Sequence, residues 1–283
     1  MCECGNLERF PCVNVESLDL QYCSSLEKFP EIVGRMKPEL DIHMGYSGII
    51  ELPSFIKYQT HITKINLSSM KNLVALPSSI CKLKGLVKLD VSWCSKLESL
   101  PEEIGDLENL EYLDASYTLI SRPPSSIVRL NKLKSLSFGQ HRSEDGVYFV
   151  FPLVNKGLLS LEYLDLSYCN LIDGGLPEDI GSLSSLKELY LKGNNFEHLP
   201  LSLTQLGSLL FLDLSDCKKL TQLPELPQQL DTMAAYSICN SLFQKISSLQ
   251  DDVCASDPLS LIVFTARGEN IPRWFHHRED GRI

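Results

Sequence analysis

No run of about 18 apolar residues occurs in the 283-residue chain, so no membrane-spanning helix and no membrane partner are expected. Basic residues are few: 26 Lys and Arg against 36 Asp and Glu leave a net charge of −10. Gripping a phosphate backbone works by counterion release through Lys and Arg, so no nucleic-acid partner is expected, and a basic partner suits the chain better. The first residues carry two Cys and two Glu and no apolar core of the secretory kind. No GxxxxGK(S/T) phosphate loop, no GxSxG and no Ser/His/Asp or Cys/His constellation stands out. The expectation is therefore no enzyme and no cofactor. His276 and His277 with Glu279 and Asp280 fit no zinc spacing, so no metal is expected either. The single sequon, Asn66-Leu67-Ser68, carries little weight.

What the chain has is a repeat. LVKLDVSWCSKLESLPEEIGDL from Leu86 is followed by LEYLDASYTLISRPPSSIVRL from Leu110 and LEYLDLSYCNLIDGGLPEDIGSL from Leu161. LKELYLKGNNFEHLPLSLTQL from Leu186 and LLFLDLSDCKKLTQLPELP from Leu209 continue it. The shared frame is LxxLxLxx(C/N)xxLxxLPxxIxxL. Its second Leu falls at Leu18, Leu40, Ile65, Leu89, Leu113, Leu136, Leu164, Leu189 and Leu212, in steps of 22 to 28 residues. That period matches the leucine-rich repeat. Each xLxL segment predicts a short strand with alternate side chains turned inward. One repeat cannot bury its apolar face, whereas a stack can. The expected fold is an α/β leucine-rich-repeat solenoid with a concave parallel sheet, and turns or short helical pieces after each Pro on the outside.

The ten cysteines fit this frame better than a disulfide framework. Cys4-x2-Leu7-x2-Phe10-Pro11 repeats as Cys23-x2-Leu26-x2-Phe29-Pro30 and again from Cys94 and Cys217, with Cys169 in the same slot. That slot takes Asn or Cys and predicts a structural thiol; Cys2 and Cys12 lie outside it. With no secretory leader in view, the reducing cytosol is the expected compartment. The chain begins inside a repeat, before any capping element, so it is expected to be part of a longer protein and to expose Leu7 and Phe10.

LDVSWCSKLESLPEEIG, LDLSYCNLIDGGLPEDIG and LDLSDCKKLTQLPELP resemble the repeats of plant TIR–nucleotide-binding–leucine-rich-repeat disease resistance proteins. GENIPRWFHHREDG resembles the start of the jelly-roll domain that follows those repeats, carried here by Gly268, Ile271, Pro272, Trp274, Phe275, His277 and Gly281. The resemblance implies repeats over 1–230 and a truncated jelly-roll start over 263–283, too short to close a sandwich. Between them, 231–262 is expected as a linker with a helical cap, since Ile238, Leu242, Ile246 and Leu249 share one helical face.

Candidate binding residues are those expected on the concave side. Asp recurs at Asp19, Asp41, Asp90, Asp114, Asp165 and Asp213, and aromatics follow three residues later at Tyr22, Trp93, Tyr117 and Tyr168. Tyr112, Tyr163 and Tyr190 join the same face. Aromatic anchors favour protein interfaces, and an acidic lane steers basic partners. Against this stands the possibility that LDLS is merely the repeat consensus. The longer repeat at 139–157 holds VYFVF, expected as a local strand or as a segment packed on the solenoid edge. The resemblance implies a cytoplasmic immune-receptor module, with the nucleus as a second compartment, that senses a pathogen effector and restrains the receptor's nucleotide-binding module. The alternatives are a generic repeat scaffold and a secreted plant inhibitor of a pathogen enzyme, and the latter usually carries GxIPxxL frames and paired cysteines.

Overall fold

The computed structural model describes residues 9–11, 17–29, 31–33, 40–53, 56, 61–140, 146–235 and 263–265. Short strands dominate: β1 (Arg9–Pro11), β2 (Ser17–Asp19), β3 (Glu31–Val33), β4 (Leu40–His43), β5 (Ile62–Asn66), β6 (Lys88–Asp90) and β7 (Tyr112–Asp114). They continue as β8 (Ser135–Ser137), β9 (Tyr163–Asp165), β10 (Glu188–Tyr190), β11 (Phe211–Asp213), β12 (Thr232–Ala234) and β13 (Val263–Thr265). Eleven of them form one open sheet in the order β13-β12-β11-β10-β9-β8-β7-β6-β5-β4-β2, and β1 pairs separately with β3. All neighbours in the large sheet run parallel except β13, which is antiparallel to β12.

One Leu position of the frame sets the whole register. Leu18, Ile42, Ile65, Leu89, Leu113, Leu136, Leu164, Leu189, Leu212 and Met233 pair in sequence across the sheet. None is more than 2% exposed. A second inward row follows two residues later, from Leu20 and Met44 through Phe138 to Leu214 and Ala235, also buried. Removing each such Leu from water contributes roughly 1.5–3 kcal/mol, which a lone repeat has no neighbour to provide. After Pro77, Pro124 and Pro200 the chain enters 3-10 turns at Ser78–Lys82, Ser125–Arg129 and Leu201–Gln205, with Ile80, Ile127 and Leu203 buried. Pro holds φ near −60° at no cost there and has no N–H to lose.

The Cys slot is a hydrogen-bond position. The thiols of Cys94, Cys169 and Cys217 donate to the carbonyls of Leu67, Phe138 and Leu191, each at 3.2 Å. Asn194 takes the same slot, and its amide donates to Leu166 O at 2.9 Å and Leu191 O at 2.7 Å while accepting from Leu171 N at 2.9 Å. The carbonyl two residues after the central Leu of the preceding repeat is therefore satisfied by either side chain. Burial pushes the Cys94 and Cys217 thiols up to about 12, so they stay protonated donors. Cys23, Cys81, Cys94, Cys169 and Cys217 are all buried, and Cys81, Cys94, Cys169 and Cys217 are free thiols. Cys2, Cys4 and Cys12 lie outside the described residues.

The structure corrects the sequence reading at several points. Leu18 pairs with Ile42, not Leu40, and Ile42 pairs on with Ile65, the register against β5 shifting between Leu40 and Asp41. Asp41 therefore leaves the Asp row, where His43 stands instead; it accepts from Thr63 Oγ1 at 3.0 Å and Lys64 Nζ at 2.9 Å. Phe10 pairs with Ile32, three residues beyond Phe29 of the expected frame. The parallel array runs past residue 230, since Thr232–Ala234 is its next strand, and Val263–Thr265 adds to it. The expected helix over 234–249, apart from its first residues, the motif Ile271, Pro272, Trp274 and Phe275, Leu7 and the Phe10 side chain all lie outside what is described. Of the two readings for VYFVF, packing on the edge is what is seen. Phe149 and Phe151 are buried, Val147, Tyr148 and Val150 are exposed, and no strand forms. Val150 N donates to Ser121 O at 3.0 Å and Phe151 N to Gly175 O at 2.9 Å, which inserts the segment between successive repeats.

Candidate protein-interaction face

The solvent face of the sheet carries two rows flanking the inward Leu. In the row after it, Asp90 Oδ1 accepts from Ser92 N at 3.0 Å and Ser92 Oγ at 2.7 Å. Asp114 does the same with Ser116, at 2.9 and 2.6 Å. Asp19, Asp165 and Asp213 each accept from the amide two residues on, at 2.9 Å. These carboxylates hold the chain as it leaves the strand, as Asx turns do. One oxygen of each carboxylate thus serves the strand-exit turn that recurs along the array. Burial, followed by repulsion from Asp114 and Asp213, outweighs the Ser167 bonds and raises the Asp165 carboxyl above the usual range.

One residue later the backbone turns left-handed. Tyr22, Tyr46, Trp93, Tyr117 and Tyr168 have φ of 62, 60, 61, 58 and 56°, with Ser69, Gly193 and Asp216 in equivalent places. For a bulky L residue this conformation costs about 1–2 kcal/mol. Each amide bonds into the next repeat, as Trp93 N to Ser116 O at 2.9 Å and Tyr117 N to Gly139 O at 2.9 Å, so the conformation is enforced by the ladder. The result is a rail of rings along the C-terminal edge of the strands. Trp93 and Tyr117 stack with centroids 3.8 Å apart at 14°, and Tyr22 and Tyr46 at 5.0 Å and 16°. Trp93 is 50% exposed and Tyr22 65%.

Tyr168 is placed differently. Gly193 presents no side chain, and a Cβ there would run into the Tyr168 ring. The ring lies across Gly193, and its hydroxyl donates to Asp216 Oδ2 at 3.0 Å. Burial, followed by Asp216, pushes the phenol up to about 12. Lys192 sits 5.7 Å from the ring centroid and 3.8 Å from Asp216.

The sequence-expected rings thus divide. Trp93 and Tyr117 meet each other, and Tyr22 meets Tyr46, which the sequence reading missed. Tyr163, Tyr190 and Phe211 form a separate half-buried cluster on the strands, with centroids 5.1 Å apart. Phe211 was also missed, although it precedes the frame Leu as Tyr163 does. Tyr112 stands in a row between Lys88 and Ser135 and is 43% exposed.

The rail and the insertion meet. Trp93, Tyr117 and Tyr168 form one wall and Val147 and Phe149 another of an open groove of about 920 Å³, with Leu119, Gln140, Asn170 and Glu98 in the lining. Asn170 donates to Val147 O at 2.7 Å and fixes that wall to the repeats. Among the described residues no group of three His, Cys, Asp or Glu side chains could hold a metal ion, and no helix is long and apolar enough to cross a membrane.

The family model described as disease resistance protein RPS4B-like, leucine-rich repeats, matches residues 10–106, and the model described as leucine rich repeat matches 160–183 and 185–206. Over 317 aligned residues the chain is 59% identical to the TMV resistance protein N of Nicotiana glutinosa, covering 98% of this chain and 27% of that protein. Disease resistance-like protein DSC1 of Arabidopsis thaliana is 41% identical over 125 residues, 44% of this chain and 10% of that protein. The chain thus spans about a quarter or less of the length of these relatives. Among solved structures, an internalin (inlF) of Listeria monocytogenes superposes with a TM-score of 0.53 at 15% identity, covering 76% of this chain and 68% of that one, and this shows the fold alone. A TDR receptor superposes at 0.52 with 25% identity, covering 71% and 34%. The chain belongs to the leucine-rich repeats of plant disease resistance proteins of the TMV resistance protein N type.

Proposed function

We propose that this chain is the ligand-sensing repeat module of a cytoplasmic plant immune receptor. It takes a pathogen effector protein on the face bearing the rail and groove, and restrains the receptor's nucleotide-binding module when no effector is present. One observation carries the reading: five aromatic rings are held in a left-handed turn that Gly or Asn would adopt without strain, and four of them pair off in stacked, solvent-facing couples. Strain maintained at a surface is a sign of use elsewhere than in folding. Rings displayed this way are the kind that anchor protein interfaces. The buried free thiols of Cys81, Cys94, Cys169 and Cys217 suit a reducing compartment.

The test is titration calorimetry of the chain against the nucleotide-binding module of the TMV resistance protein N. Trp93→Ala or Tyr117→Ala should cost about 2 kcal/mol or more of binding, and changes to rim charges less. Equal affinity for wild type and both variants would move the interface away from the rail, to the post-repeat segment with Ile271, Pro272, Trp274 and Phe275.

A further inference from the structure

The groove between rail and insertion is largely apolar and aromatic, and the charge among its described lining residues is of one sign. Glu98 stands in its lining, and among the described residues that line it there is no Lys or Arg. Lys96, near Glu98 in sequence, reaches back to Asn72 Oδ1 at 3.3 Å. The carboxylates of Asp90 and Asp114 stand at the base of the turns that carry Trp93 and Tyr117. At about 920 Å³ the groove suits one extended segment and is too small for a folded domain. The molecule already contains the matching arrangement farther along the rail, where the Lys192 ammonium lies over the Tyr168 ring with the Asp216 carboxylate beside it.

We propose that this groove receives an arginine-bearing extended segment of the partner protein. The guanidinium lies flat on the Trp93–Tyr117 stack and pairs with Glu98, while its aliphatic stem runs along Leu119 and Val147. Arg fits better than Lys because its planar, weakly hydrated head lies flat on a ring while forking to a carboxylate, whereas an ammonium, as at Lys192, meets ring and carboxylate only as a strongly hydrated point charge. The acidic balance of the chain draws such a segment in, and the rings hold it. This rests on reading the face as a protein-binding surface.

The experiment is titration calorimetry of the full chain with acetylated hexa-arginine, with hexalysine and hexaglutamate as comparison peptides. Trp93→Gly, which keeps the left-handed turn, should weaken hexa-arginine about tenfold, and Glu98→Gln about fivefold. Glu108→Gln removes a charge at a site 76% exposed and paired with Lys84, and should change little. Hexalysine should bind several-fold more weakly and hexaglutamate not at all. If Glu108→Gln weakens binding as much as Glu98→Gln, or if Arg and Lys peptides bind alike and ignore Trp93→Gly, the attraction is diffuse and the proposal falls. Parallel titration with the nucleotide-binding module separates the two ideas. A module that loses affinity on Trp93→Gly while hexa-arginine does not overturns the arginine site alone; indifference of both overturns the arginine site and the interaction face together.

Discussion

Leu89 and Trp93 stand four residues apart in one repeat and obey opposite rules. The Leu89 position is filled from Leu18 to Met233 by ten aliphatic residues, each essentially without exposure. The Trp93 position reads Tyr22, Tyr46, Ser69, Trp93, Tyr117, Gln140, Tyr168, Gly193 and Asp216, and all of these except Gln140 hold a left-handed conformation that most side chains resist. The inward row is uniform because packing against two neighbours dictates it. The turn row varies because the fold asks only for a backbone shape there, which glycine meets best. Where a bulky ring stands instead, stability has been given up for surface.

The contrast can be broken most severely on the inward row. Leu164→Asp should cost roughly 4 kcal/mol or more, a large part of a domain's stability, by placing an unpaired carboxylate in the core. An unmoved melting curve would remove Leu164 from the core. Next comes the slot joining the rows: Asn194→Ala strands the Leu166 carbonyl and the Leu171 amide and leaves the Leu191 carbonyl only the Cys217 thiol, an expected loss of about 2–4 kcal/mol in urea unfolding. Asn194→Cys should recover part of it, because a thiol serves the same carbonyl elsewhere. Gly193→Ala should cost about 1–3 kcal/mol, from left-handed strain and the displaced Tyr168 ring. Loss of the Tyr168–Asp216 bond would appear as a fall in the phenol's titration point from about 12.

A smaller effect depends on pH. The Asp165 carboxyl is raised in the folded state, chiefly by burial, so the folded protein holds this proton more tightly than the unfolded chain. Its contribution to stability is fully present below the unfolded carboxylate value, about 3.9, and is lost as pH rises through the raised folded value. Asp165→Asn should therefore stabilise the chain at neutral pH, and its advantage should shrink as pH falls toward about 4. A variant less stable than wild type at neutral pH would show that the charged form is the favoured one.

Most of the inward row was legible in the sequence because burial forces Leu at a fixed period. The slip came at ELDIHMG, where Leu40 and Ile42 both fit the frame and only the irregular pairing between strands decides. That slip hid Tyr46, which follows His43 by three residues and not Asp41. The left-handed turn had one available sign: LYLKG aligned with LDVSW puts Gly193 at the Trp93 position, and a glycine there marks a positive φ. The groove was not legible, because Val147 and Phe149 are brought into the same lining as Trp93 and Tyr117 by bonds across the chain such as Asn170 to Val147, which no local pattern encodes.

The most direct test of the division between rows is urea unfolding of Trp93→Gly beside wild type. Relief of the left-handed strain, about 1–2 kcal/mol, offsets the lost ring stack at about 0.5–1.5 kcal/mol and the added freedom of glycine in the unfolded chain. Stability should then stay within about 1 kcal/mol of wild type. A loss of about 3 kcal/mol or more, the size expected for an aromatic removed from a packed core, would show that Trp93 serves the fold and not the surface.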